Sequence, residues 1–177
     1  MSKAIAICNQ KGGVGKTTTA VNLGAYLAAI GKRTLLVDLD AQGNATIAAG
    51  VDRTHLLKTC YDLLVDGTPS DEVVVKSSVE GLDIIPSSLD LVGAELRLSQ
   101  MIERESILRR LCDAWRQRYD AVLFDCPPSL GLLTVNALVA ADCVLVPVQC
   151  EYLALEGLTS LLQAIEMVKT SHRPGLS

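Results

Sequence analysis

Residues 9 to 18 read Asn-Gln-Lys-Gly-Gly-Val-Gly-Lys-Thr-Thr, directly after the apolar run Ala4-Ile5-Ala6-Ile7-Cys8. Gly12, Gly13 and Gly15 let the backbone turn with its N–H groups inward, and such a nest of amides holds phosphate oxygens. Val14 and Thr18 lie in the same turn. Lys16 would reach the terminal phosphates, and the Thr17 hydroxyl would ligate Mg²⁺. A helix starting near Lys16 adds its positive end to the same anion. The strict pattern G-x-x-x-x-G-K-[ST] asks for glycine at position 10, where this chain has Gln10 followed by an additional lysine, Lys11. A plain glycine-rich turn with two solvated lysines is the competing explanation. Lys16-Thr17-Thr18, set between a strand and a helix, weighs against it.

Three acidic groups stand at strand ends. Asp38 and Asp40 follow the run Arg33 to Val37, and Asp125 follows Ala121-Val122-Leu123-Phe124. In a parallel α/β sheet, ligands sit beyond the carboxyl ends of the strands, so these carboxylates can converge on the glycine turn. Asp125 fits an aspartate that holds Mg²⁺, through water. An aspartate capping a strand end, and a turn rich in Asp, Gly and Asn, are the bland alternatives.

Strand and helix patterns alternate along the chain, which predicts an α/β fold with a mostly parallel, twisted sheet and helices on both faces. The first helix is expected over 17–30, with Ala20, Leu23, Leu27 and Ala28 facing the sheet and Gly31 stopping it. Strands are expected at 33–37, 73–75, 82–85, 121–124 and 143–148. Further helices are expected at 55–65, 89–115 (in one or two pieces), 130–140 and 152–170. No repeat, linker or low-complexity segment divides residues 1–177, so one domain is expected.

Of the 177 residues, 49% are hydrophobic and 20% charged, a globular composition. The formal net charge of −4 supplies no chain-wide attraction for nucleic acid, and 3% aromatics is too few for a base-stacking platform. The six cysteines contain no C-x-x-C pair and read as small thiols in a reducing compartment. Met1-Ser2-Lys3 leads straight into a strand rather than a signal peptide, and no uncharged apolar stretch is long enough to span a bilayer. A cytoplasmic protein is expected. His55 and His172 have no partners at ligand spacing, Trp115 reads as core, and Arg109, Arg110, Arg116 and Arg118 read mainly as a solvated helix face.

The run Lys11-Gly12-Gly13-Val14-Gly15-Lys16-Thr17-Thr18 resembles the deviant Walker A loop of the ParA/MinD family of dimeric P-loop ATPases. Asp38-Leu39-Asp40-Ala41-Gln42 resembles that family's first switch, with Ala41 where proline is common, and Asp125-Cys126-Pro127-Pro128 resembles its second. Asn22-Leu23-Gly24, Ile84-Ile85-Pro86-Ser87, Val146-Pro147-Val148-Gln149 and the run 151–158 extend the likeness over the whole chain. It is nearest to the small Soj-like partitioning proteins.

The resemblance implies a Mg²⁺-dependent ATPase, with Lys11 touching nucleotide phosphates across a dimer interface. Asp40 would orient the attacking water, and Thr17, Asp38 and Asp125 would lie at the metal. It further implies an ATP-dependent homodimer, a ParB-like adaptor, contact with nonspecific DNA in the full-length family, and cytoplasmic or nucleoid location without a membrane. Relatives continue past the position of Ser177, so a C-terminally truncated chain is expected. A regulatory nucleotide-binding module without efficient turnover, or a MinD-like cell-division positioning ATPase, is the alternative.

Overall fold

The computed structural model describes residues 2–150 and 154–177, with side chains for all of these except 154–157. Six strands form one sheet: β1 (Lys3–Ile7), β2 (Thr34–Asp38), β3 (Val75–Lys76), β4 (Leu82–Ile85), β5 (Ala121–Asp125) and β6 (Cys143–Leu145). Their order is β3-β4-β2-β5-β1-β6, and every neighbouring pair is parallel except β3 with β4. The predicted α/β P-loop fold is therefore what the chain adopts.

Every residue of the two central strands β2 and β5 is buried, as expected of strands covered on both faces. Their side chains alternate between two cores. Leu35, Val37, Val122 and Phe124 join the larger core beneath α3 (Cys60–Val65), α5 (Leu91–Leu98), α6 (Ile107–Trp115) and α7 (Leu132–Ala140). Leu36 and Leu123 join the smaller core beneath α1 (Lys16–Ala29) and α2 (Asn44–Ala48). The same alternation sends Asp38 and Asp125, the last residues of β2 and β5, to the α1 side. There the phosphate loop lies.

Helix α1 sits close to the sheet because its innermost positions are small. Ala20, Gly24 and Ala28 are buried, and a Cβ on Gly24 would come within 3.1 Å of Leu82. Leu23 and Leu27, expected beside Ala20 and Ala28 on the sheet-facing side, are half-buried at its flanks. The helix ends at Gly31, whose φ of +81° suits glycine.

Elsewhere the boundaries differ. The 55–65 helix begins only at Cys60, where Thr59 and Asp62 form a reciprocal capping box. The expected 73–75 strand is displaced by the short α4 (Ser70–Val73), leaving β3 to start at Val75. The 89–115 segment is two helices, interrupted around Glu103, whose φ is 54°. Strand β6 stops at Leu145 rather than 148, because the following loop turns to support the phosphate loop. Its outer edge carries hydrogen bonds to Ser177, from the Val144 amide at 2.9 Å and to the Asp142 carbonyl at 3.0 Å. Helix α8 spans Ala154–Ser171; the predicted start at Tyr152 and the run 151–153 lie outside the described residues.

Arg116 is not part of a solvated face. With Arg173 it holds the Asp142 carboxylate, at 2.8 and 2.7 Å, and it also donates to the backbone carbonyls of Ser2 and Ala140. Arg109, Arg110 and Arg118 do form surface ion pairs, with Asp113, Glu103 and Asp71. Trp115 is core. Four cysteines are buried, Cys143 is half-buried and Cys150 exposed; all are free thiols.

Candidate nucleotide site

The glycine turn is moored from below. Asn9, 3% exposed, donates from Nδ2 to the Pro147 carbonyl at 2.8 Å and accepts the Lys11 amide on Oδ1 at 3.0 Å. Gln149 Nε2 donates to the Gly13 carbonyl at 3.1 Å. The loop after β6 thus holds the turn at its start and at its middle. Gly13 and Gly15 have φ of +74° and +93°, a region that other residues enter with strain. A Cβ on Gly12, Gly13 or Gly15 would meet no atom within 4 Å, so the concavity is open to a ligand.

Lys16 is buried, and its Nζ donates to the Lys11 carbonyl at 3.1 Å across the turn. Its neighbour Thr17 is half-buried and Thr18 exposed. No side chain caps the start of α1, where Gly15 is the N-cap. Amide donors, a lysine and a helix dipole end therefore gather around one open concavity.

The two strand-end aspartates are adjacent partners in the β2–β5 register and are fully buried. Their surroundings differ. Asp38 Oδ2 accepts the Thr46 hydroxyl at 2.7 Å and the Thr46 amide at 2.8 Å, while Oδ1 accepts the Asp40 amide at 3.2 Å. Among the described residues, neither oxygen of Asp125 has a hydrogen-bond partner. The Thr17 hydroxyl lies near enough to favour its charged form but does not meet hydrogen-bond geometry.

Burial is the main reason both carboxyls titrate high. Asp38 is raised to about 6, with the Thr46 and Asp40 donors opposing the rise and the Asp40 charge adding to it. Asp125 is raised to about 7, with Thr17 and Lys16 opposing burial and the charges of Asp38 and Asp40 reinforcing it. A buried carboxylate without donors is what a cation would satisfy. Among the described residues no group of three or more His, Cys, Asp or Glu side chains surrounds a metal position. A cation beside Asp125 would therefore complete its shell with the Thr17 hydroxyl, ligand oxygens and water, a pattern that suits Mg²⁺.

Asp40 is half-buried, its Oδ1 accepting the Gln42 amide at 2.9 Å. Its loop is clamped from two sides. Arg53 donates to the Gln42 carbonyl at 2.6 Å and the Ala41 carbonyl at 3.4 Å, and Ser87 Oγ donates to the Asp40 carbonyl at 2.6 Å. Asp38, Asp40, Lys16 and Thr17 thus all lie near enough to Asp125 to act on its charge. Thr46, Ser87, Arg53, Asn9 and Gln149 were not foreseen. Ser87 and Gln149 fell in runs singled out for resemblance, but nothing in their spacing marked what they hold.

A glycine turn between the first strand and first helix of a parallel sheet, facing aspartates on neighbouring strand ends, defines a P-loop nucleoside-triphosphatase domain. A protein-family model described as an AAA domain matches residues 2–177. The chain is 55% identical over 169 residues to the sporulation initiation inhibitor protein Soj of Bacillus subtilis, covering 96% of this chain and 67% of that protein. To the chromosome partitioning protein ParA of Caulobacter vibrioides it is 52% identical over 176 residues, covering 98% and 66%. The chain belongs to the ParA/Soj family of partitioning ATPases, and spans about two thirds of the length of these curated relatives.

Among solved structures, a cobyrinic acid a,c-diamide synthase of Mycobacterium smegmatis with bound ADP and magnesium superposes with a TM-score of 0.95 at 40% identity, over 99% of this chain and 71% of that one. A plasmid partition protein of Borrelia burgdorferi bound to AMPPNP gives a TM-score of 0.82 at 29% identity, over 96% and 70%. No described helix is long and apolar enough to cross a membrane.

Proposed function

We propose that this chain binds ATP with Mg²⁺ in the glycine cradle, hydrolyses it slowly, and dimerises in its ATP-bound form as a partitioning switch. The observation that carries this reading is Asp125: a fully buried carboxylate without a hydrogen-bond donor among the described residues, near Lys16 at the end of an open glycine turn. The ADP and magnesium named with one close structural neighbour, and the AMPPNP named with another, support it.

The amides of residues 12–17 and the Lys16 ammonium bind and orient the phosphates. Asp125 and the Thr17 hydroxyl hold Mg²⁺, which when bound neutralises charge developing on the phosphate oxygens. Asp38, placed beside the metal by resemblance, also ties Thr46 of α2 to the Asp40 amide. Asp40 orients a water in line with the terminal phosphate. Lys11 contributes from the partner subunit of a nucleotide-sandwiched dimer, so dimerisation and turnover are linked. A DNA-bound adaptor of the ParB type reads the dimer, and contact with nonspecific DNA belongs to the full-length protein. The setting is the cytoplasm.

Calorimetry and phosphate release with Mg²⁺ and ATP test the site. Light scattering of an Asp40→Ala variant with ATP tests the dimer: doubling of mass supports it, and a persistent monomer at high protein concentration refutes it.

A further inference from the structure

We propose that Thr46, on α2, is a positioning residue that sets the geometry of Asp40 through Asp38. This deepens the hydrolytic reading of the same site and rests on it. Thr46 is fully buried, and its amide and hydroxyl together make three hydrogen bonds. Its hydroxyl and its amide both donate to Asp38 Oδ2, at 2.7 and 2.8 Å. The hydroxyl has one proton, given to Asp38, so the Ser87 amide at 3.0 Å must donate to its oxygen. The Thr46 hydroxyl thereby both donates to Asp38 and accepts from Ser87.

The consequence reaches Asp40 along two routes. The Asp38 carboxylate, held by Thr46, accepts the Asp40 amide on its other oxygen at 3.2 Å. The Ser87 segment, also held by Thr46, donates from Oγ to the Asp40 carbonyl at 2.6 Å. Asp40 is gripped at both of its backbone polar groups by residues that meet at one threonine. Its own carboxylate accepts the Gln42 amide. A buried carboxylate held by several neutral donors in this way restricts a loop to one geometry.

Phosphate binding does not require this clamp, since the glycine turn is moored separately through Asn9 and Gln149. Its loss should therefore act on the catalytic step rather than on affinity. Thr46→Val keeps the side-chain volume and removes the hydroxyl; Thr46→Ser keeps the hydroxyl.

The test uses the chain with Mg²⁺ and ATP, and separately the nucleotide-free protein. Thr46→Val should lower kcat by about tenfold or more while KM and nucleotide affinity stay within about threefold, and Thr46→Ser should recover most of kcat. In hydrogen exchange without nucleotide, the Asp40 and Ser87 amides should exchange about tenfold faster in Thr46→Val, with the interior amides of α1 unchanged. Wild-type kcat in Thr46→Val, or unchanged exchange at Asp40, overturns the assignment. So does a Thr46→Ser variant as impaired as Thr46→Val. If the wild-type chain binds ATP without turning it over, the hydrolytic reading fails, and hydrogen exchange alone then decides whether Thr46 holds the loop.

Discussion

Asp38 and Asp125 are register partners at the ends of adjacent parallel strands, equally buried, yet among the described residues one has three hydrogen-bond donors and the other none. That asymmetry separates their duties. Asp38 accepts three protein donors and organises a loop; the burial of Asp125 is opposed only in part by Thr17 and Lys16, which leaves it suited to a cation. Sites that bind charge are commonly less stable empty than the fold could be.

Replacing Asp125 by Asn should raise the melting temperature of the nucleotide-free protein at pH 8, corresponding to roughly 1–3 kcal/mol, because it removes a buried charge without a partner. The same variant should lose Mg²⁺-dependent nucleotide binding. The sign with pH follows from the raised titration of the carboxyl, from 3.8 to about 7. The folded state binds the proton more tightly than the unfolded chain, so this group destabilises increasingly as pH climbs from 4 to 7. Melting wild type and Asp125→Asn over that range should show curves that converge at low pH and separate above it.

Asp142 behaves in the opposite sense. It joins β6 to α6 and to the segment after α8 by accepting Arg116, Arg173 and the Ala4 amide. Although burial opposes ionisation, these donors hold its carboxyl below the usual value of 3.8. Its stabilisation is full above the unfolded-state value and disappears as pH falls through the lower folded one. Asp142→Ala should cost about 2–4 kcal/mol at pH 7 in chemical denaturation, since two half-buried guanidinium groups lose their partner. The deficit should shrink in acid.

Gly43 closes the Asp40 loop with φ of +65°, and an added Cβ would meet the Arg53 guanidinium at 2.7 Å. Gly43→Ala should therefore cost about 1–2 kcal/mol through backbone strain and a displaced Arg53. A thermal melt checks the cost, and an Arg53→Ala variant should show a smaller loss.

Lys16 and Lys11 should separate binding from assembly. Lys16→Ala should abolish nucleotide binding, because the ammonium that now bonds the Lys11 carbonyl is the group aimed into the turn. Lys11→Ala should bind nucleotide yet fail to double in mass with ATP. Equal loss of binding in both variants would remove the cross-subunit role from Lys11.

Much of this was legible in local sequence. The glycine turn, the strand-end aspartates and the buried strands follow from glycine spacing, apolar runs and the alternation of elements. Strand β4 falls at its predicted residues because Pro86-Ser87-Ser88 closes an apolar run sharply. What local pattern missed depends on distant partners. The short helix Asn44–Ala48 was not expected, and it forms where Thr46 can reach Asp38. Arg116 looked like one arginine among four on a surface; that it is half-buried follows from Asp142, 26 residues away. Likewise residues 146–148 carry an apolar strand signature, but the need to bond Asn9 and Gly13 turns that segment out of the sheet.

Titration calorimetry of ATP into the folded chain, with and without Mg²⁺, measures most directly whether a triphosphate and its cation lie between the glycine cradle and Asp125. Saturable, Mg²⁺-strengthened uptake in wild type, with that strengthening absent from Asp125→Asn, is the expected result. No uptake by folded wild type, or an Asp125→Asn variant that still responds fully to Mg²⁺, would contradict it.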